Sequence, residues 1–121
     1  VCRPGGTILL TTCAPGFQYH GYPYDFWRFE LSDLKEIFSD CRIVALESVF
    51  KNLVLIKAVK PEEFSERDLG QYKVYSLVSA TRIQTLESRH FNSWGFKKLI
   101  LRTRIINMML GVVDFIGTHI I

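Results

Sequence analysis

The sequence predicts an α/β fold, and three observations carry the prediction. A continuous apolar run, Thr7-Ile8-Leu9-Leu10-Thr11-Thr12, stands between Gly5-Gly6 and Ala14-Pro15-Gly16. An amphipathic stretch follows with Leu31, Leu34, Ile37 and Phe38 on one helical face. Two further β-prone runs, Arg42 to Val49 and Leu53 to Val59, are then separated only by Phe50-Lys51-Asn52.

Each element has its own warrant. The first run is apolar without alternation and bounded by turn residues, which reads as a strand buried on both faces, as in a parallel sheet. The loop from Ala14 to Glu30 is crowded with aromatics and holds two of the four prolines. The helix is expected over about Ser32 to Ser39. Arg42 to Val49 alternates imperfectly, with Ile43, Ala45 and Glu47 set against Val44, Leu46 and Ser48. Its short connection to Leu53–Val59 predicts an antiparallel hairpin. Pro61 to Gly70 is charged and opens with proline, marking a boundary between residues 1–61 and 62–121. Tyr72 to Phe91 carries a weak helical pattern, and Asn92-Ser93-Trp94-Gly95 breaks it. The second part therefore reads as a C-terminal helical extension.

Composition bounds the function. The chain has 121 residues, 48% of them hydrophobic and 22% charged, which suits one globular domain or part of one and excludes a disordered chain. A net charge of +3 does not call for a nucleic-acid partner. The cysteines Cys2, Cys13 and Cys41 form no C-x-x-C pair, so neither a disulfide framework nor a zinc ribbon is expected. A reduced, cytoplasmic setting fits that usage. Arg3-Pro4-Gly5-Gly6 interrupts any leader-like apolar run. A chain that opens on Val1 and enters a turn and strand almost at once reads as the back part of something longer.

From Lys97 to Ile121 a narrow polar stripe (Arg104, Asn107, Gly111, Asp114, Thr118) interrupts an otherwise apolar helix. A membrane span needs about 20 mostly apolar residues, and Asp114 ends the run from Ile105 too soon. Two readings remain for residues 98–121. One is a helix docked on the domain. The other is peripheral contact with a membrane, with Lys97, Lys98, Arg102 and Arg104 at the headgroups.

Two segments carry a resemblance. Val1-Cys2-Arg3-Pro4-Gly5-Gly6-Thr7-Ile8-Leu9-Leu10 places proline and a glycine pair before an apolar strand. The glycines give positive φ for a tight turn. His20-Gly21-Tyr22-Pro23-Tyr24-Asp25-Phe26-Trp27-Arg28-Phe29 follows at a fixed distance. The first resembles the Pro-Gly-Gly turn and fifth strand of class I S-adenosylmethionine-dependent methyltransferases of the small-molecule type. The second is similar to an H-x-x-P-x-D-[YF]-[WF]-R-[FY] segment after that strand in one branch of the family. The resemblance covers Val1 to about Pro61. It departs from the family pattern at Glu30-Leu31-Ser32, where Thr and Pro-Glu usually cap the helix, and at Asp40-Cys41, where Gly-Phe is common.

The resemblance implies the C-terminal half of a Rossmann-like methyltransferase sheet: strand, loop, helix and an antiparallel strand pair, followed by C-terminal helices. It places Thr7–Thr12 between a preceding parallel strand and the antiparallel final one. The implied cofactor is S-adenosylmethionine. The family's glycine loop precedes the fifth strand, and no G-x-G occurs in these residues, so the cofactor contacts are expected from a missing N-terminal half of the domain. The acceptor is a small molecule, lipid or glycan precursor.

Methyl transfer is an in-line displacement at a sulfonium, so the protein mainly aligns the acceptor and excludes water. A hydroxyl acceptor benefits from a base, and histidine has the pKa nearest the need. His20 lies beyond the carboxyl end of the first strand, where open α/β sheets bind ligands. It is the candidate catalytic base, and bracing the loop through backbone bonds is its other reading. Tyr22, Asp25, Trp27 and Arg28 are the candidate substrate-binding residues. Asp25 and Arg28 would pair across a helical turn, and pinning the loop is their plainer role. Cys13 lacks the orienting partner of a thiol nucleophile, and His20 with Asp25 lacks metal-ligand spacing. No Asn-Pro-Pro-Tyr-type segment points to a nucleic-acid substrate. The reading from a different class is a non-catalytic methyltransferase-like module that binds a partner or membrane through its last helix.

Overall fold

A computed structural model describes residues 2–19, 25–50 and 52–119, with side chains to residue 111. Its first sheet is built from β1 (Thr7–Cys13), β3 (Arg42–Val49) and β4 (Leu53–Val59) in the order β1-β4-β3. Both pairings are antiparallel, so β1 and β3 run in the same direction on either side of β4. The helix α1 (Leu31–Ile37) covers one face. A second sheet joins β2 (Trp27–Arg28), β5 (Val74–Ser76) and β6 (Thr81–Ile83), also antiparallel. Helices α2 (Ser88–Phe91) and α3 (Trp94–His119) follow. The chain is thus mixed α/β, with two small antiparallel sheets and a long C-terminal helix.

The core sits under α1. Alternation along β4 sends Val54, Ile56 and Ala58 to that face, where they pack with Ala14 and Leu34. Full burial of a side chain such as Ile56 or Leu34 contributes about 1.5–3 kcal/mol. The imperfect alternation of β3 has a structural cause. The register shifts between Ile43 and Ala45, a β-bulge that lets Ile43 and Leu46 both reach the core while Val44 is left exposed.

The turn before β1 divides its labour between two glycines. Gly5 has φ +70°, whereas Gly6 is held by closeness: a Cβ there would meet Cys2 Sγ at 2.7 Å and the Arg3 carbonyl at 2.8 Å. Lys60 and Gly5–Gly6 exchange backbone hydrogen bonds of 2.8 and 3.0 Å, extending the β1–β4 ladder.

Two expectations are corrected here. β1 is not buried on both faces: Leu9 is 67% exposed, and no strand pairs with the outer edge of β1 among the described residues. An apolar run needs cover on both faces to be buried, and Leu10, on the face it shares with Ile56, is also 38% exposed. Tyr72 to Phe91 is not helical over most of its length. Val74, Tyr75, Thr81 and Ile83 are β-branched or aromatic, and they form the β5–β6 hairpin, whose turn holds Ala80 at φ +55°. The partner decides it. Trp27 and Arg28 present backbone groups that Ser76 and Tyr75 satisfy.

α1 begins at Leu31, one residue before the expected Ser32, with Glu30 as its N-cap and the Glu30 amide donating to Asp33 Oδ2 at 2.8 Å. Asp33 is fully buried and is the hub between α1 and the hairpin. It accepts from the Tyr72 hydroxyl at 2.7 Å and pairs with Arg82, which also reaches Glu30 at 3.0 Å. Burial pushes the Asp33 carboxyl up. The Glu30 amide, the Arg82 guanidinium and the Tyr72 hydroxyl more than reverse this and hold it below its ordinary value of 3.8.

A depressed carboxyl contributes stability that is present in full above its unfolded value and is lost as pH falls through its folded one. Wild type should therefore lose stability below about pH 4, beyond the loss shared by all carboxyls. Asp33→Asn should show a shallower fall. Denaturant titrations between about pH 6 and 2 compare the two, and identical slopes would remove the hub role.

Candidate functional site

The site is the loop that leaves the carboxyl end of β1 and returns to β2. Ala14 is buried and its amide donates to the Asn52 carbonyl at 2.8 Å. Gly16 takes φ +97° beside the Asn52 side chain, turning the chain so that the Phe17 amide bonds the Ala14 carbonyl at 3.1 Å. The return is fixed by Phe29, whose amide donates to the Cys13 carbonyl at 2.9 Å.

Arg28 sits at the centre of this loop with no exposed surface. Its Nη1 donates to Asp25 Oδ1 at 2.7 Å and to the Trp27 carbonyl at 2.7 Å. Its Nη2 donates to Asp25 Oδ2 at 2.9 Å and to the Gln18 carbonyl at 3.0 Å, and Nε reaches the Phe17 carbonyl at 3.3 Å. Every guanidinium N–H is thereby engaged within the chain. The pairing with Asp25 is bidentate, the strongest arrangement for these groups. It forms without the helical turn that the three-residue spacing suggested, because Arg28 lies in β2 and its side chain folds back over the loop.

Aromatic rings close the outer side. Tyr19 stacks on Phe26 at 6.0 Å, and the edges of Phe91 and Phe96 meet Phe26 at 5.4 and 6.0 Å. This cluster fastens α2 and the start of α3 to the loop. Phe96, Leu99, Ile100, Thr103 and Ile106 are half-buried along one face of α3. A cavity of about 120 Å³ lies between that face and the loop, bordered by Gly16, Gln18 and Tyr19 and by Leu99, Thr103 and Asn107. A shallower recess of about 460 Å³ runs between the β5–β6 turn and α3, past Tyr75, Ser79, Lys98 and Arg102. Burial raises the Tyr19 hydroxyl above its usual range, with the Asp25 charge adding to it. Burial likewise raises the Cys13 thiol, against the pull of Arg28.

Of the residues expected at the site, Asp25 and Arg28 are brought together and Trp27 is half-buried in β2 beside them. None of the three borders the two cavities. His20 and Tyr22 lie outside the described residues. Cavity residues not foreseen are Gln18 and Thr103, neither of which carries a pattern in sequence. Asp33, Tyr72 and Arg82 were also missed. Only Asp33 had a signal, its position three residues after the N-cap. Among the described residues no three His, Cys, Asp or Glu side chains gather to hold a metal. No helix there is long and apolar enough to cross a membrane. No family model, curated protein or solved structure matches this chain.

Proposed function

We propose that the chain is the acceptor-side half of an S-adenosylmethionine-dependent methyltransferase acting on a small-molecule, lipid or glycan-precursor acceptor. The observation that carries the reading is the strand order. A final strand, β4, runs antiparallel between β1 and β3, while β1 follows the Pro4-Gly5-Gly6 turn and leads into the Arg28-centred loop. The outer edge of β1, which pairs with no strand among the described residues, favours it further, because that edge is where the family's preceding parallel strand would pair.

In this reading His20 is the base toward a hydroxyl acceptor. Tyr22 and Trp27 wall the acceptor, and Asp25 with Arg28 holds the loop that carries them. S-adenosylmethionine, when bound by residues outside these 121, supplies the methyl group. The reading frame upstream of Val1 tests the proposal. A strand followed by a G-x-G-x-G loop within about a hundred residues, the span of one domain, is the expected finding. Its absence would favour the non-catalytic module. Calorimetry on the purified chain is the second test. The 121-residue chain alone should show no micromolar binding of S-adenosylmethionine or its demethylated product, and such binding would overturn the division of labour.

A further inference from the structure

The inward face of α3 is accounted for by the aromatic cluster and the loop; its outward face is not. Trp94, Leu101, Ile105 and Met108 recur at steps of seven, four and three residues, which places them in one line along the helix. All four are exposed, Trp94 at 75% and Met108 at 64%. The line is opposite the half-buried face of Phe96, Leu99, Thr103 and Ile106. Cations stand on both sides of it. Helical spacing puts Lys97 and Arg104 along one flank and Lys98 and Arg102 along the other. No Asp or Glu occurs between Glu87 and Asp114. None of the four cations makes an ion pair among the described residues, and Lys98 Nζ instead lies 5.5 Å from the centre of the Trp94 ring.

We propose that this face of α3 docks on an anionic lipid surface. An apolar strip with a tryptophan at one end, edged on each side by long basic side chains, matches a bilayer interface. The strip enters the acyl boundary while the lysine and arginine heads stay at the phosphates. Charge selects the occupant. A second copy of the chain would bring the same cations against these, which repel, whereas phosphatidylserine headgroups neutralise them. The helix lies in the surface plane and does not cross it, in keeping with its uncharged run being too short to span. The inference rests on α3 alone and is independent of the methyl-transfer reading.

Vesicle flotation tests it, because floating protein is separated from any aggregate that would sediment. The full chain should float with phosphatidylserine–phosphatidylcholine vesicles and stay at the bottom with phosphatidylcholine alone. Lys97→Gln with Arg104→Gln should weaken binding by about 30-fold, from roughly a fivefold contribution per basic residue. Leu101→Glu with Ile105→Glu should abolish it. Both pairs are exposed, so circular dichroism should match the parent. Three results would overturn the proposal: no flotation with the anionic vesicles, equal flotation with the neutral ones, or a stable dimer that the Leu101→Glu, Ile105→Glu variant disperses.

Discussion

Arg28→Ala is expected to lower the stability of the chain by about 3–5 kcal/mol, the usual cost of removing one partner from a buried charged pair. The reason is local and specific. The guanidinium has no exposed surface and gathers the carbonyls of Phe17, Gln18 and Trp27 together with the Asp25 carboxylate. Alanine leaves those carbonyls without the guanidinium in a space that water enters poorly, and it removes the bidentate partner of the Asp25 carboxylate. The melting temperature should fall by about 10–20 °C on this scale. Lysine should not rescue it. An ammonium is a point donor and cannot reproduce the planar fork that meets both Asp25 oxygens. Differential scanning calorimetry of wild type, Arg28→Ala and Arg28→Lys gives the comparison, and equal melting temperatures would remove the brace.

On the proposed methyl-transfer reading, His20→Ala is expected to lower kcat of the full-length protein by about 10²–10⁴-fold, the range typical of a positioned general base. Tyr19, the residue before it, borders the cavity beside α3. With the Arg28 loop intact, the variant should melt like the parent, so the loss appears in rate and not in folding. The pH profile gives a second readout. A histidine base is active when neutral, so the wild-type rate should rise from acid pH to a plateau. That inflection should vanish in the variant. An unchanged rate at saturating acceptor would end the base assignment and leave His20 a loop-bracing residue.

The two predictions differ in what the sequence could say about them. The spacing of Asp25 and Arg28 flagged a pair, and the pair exists. Yet two of the carbonyls that complete the arginine's partners, those of Phe17 and Gln18, come from a turn eleven and ten residues away, and no local pattern reports them. The same limit applies to Asp33. It was not read as a capping residue, and Tyr72 and Arg82 arrive from 39 and 49 residues downstream. Long-range polar partners have no period, so they leave no trace in a linear pattern.

Local periodicity did determine much by itself. The strands at Thr7, Arg42 and Leu53 and the helix near Leu34 follow from apolar runs, amphipathic spacing and turn residues. The short Phe50–Asn52 connection was enough to make the last two strands an antiparallel pair. Tertiary structure decided the rest. It placed β4 between β1 and β3, because the alternating apolar face of β4 is the one that both neighbours and α1 can cover. It put the bulge at Val44, which turns Ile43 and Leu46 to the same side. It made strands of Val74–Ile83 because the backbone of Trp27 and Arg28 offered a ladder, and a weak helical pattern does not outweigh unsatisfied backbone groups. It also decided which side of α3 turns inward. The sequence showed an apolar helix with a narrow polar stripe, but only the packing of Phe96 on Phe26 and the partial burial of Leu99 and Ile106 left Trp94, Leu101, Ile105 and Met108 facing out.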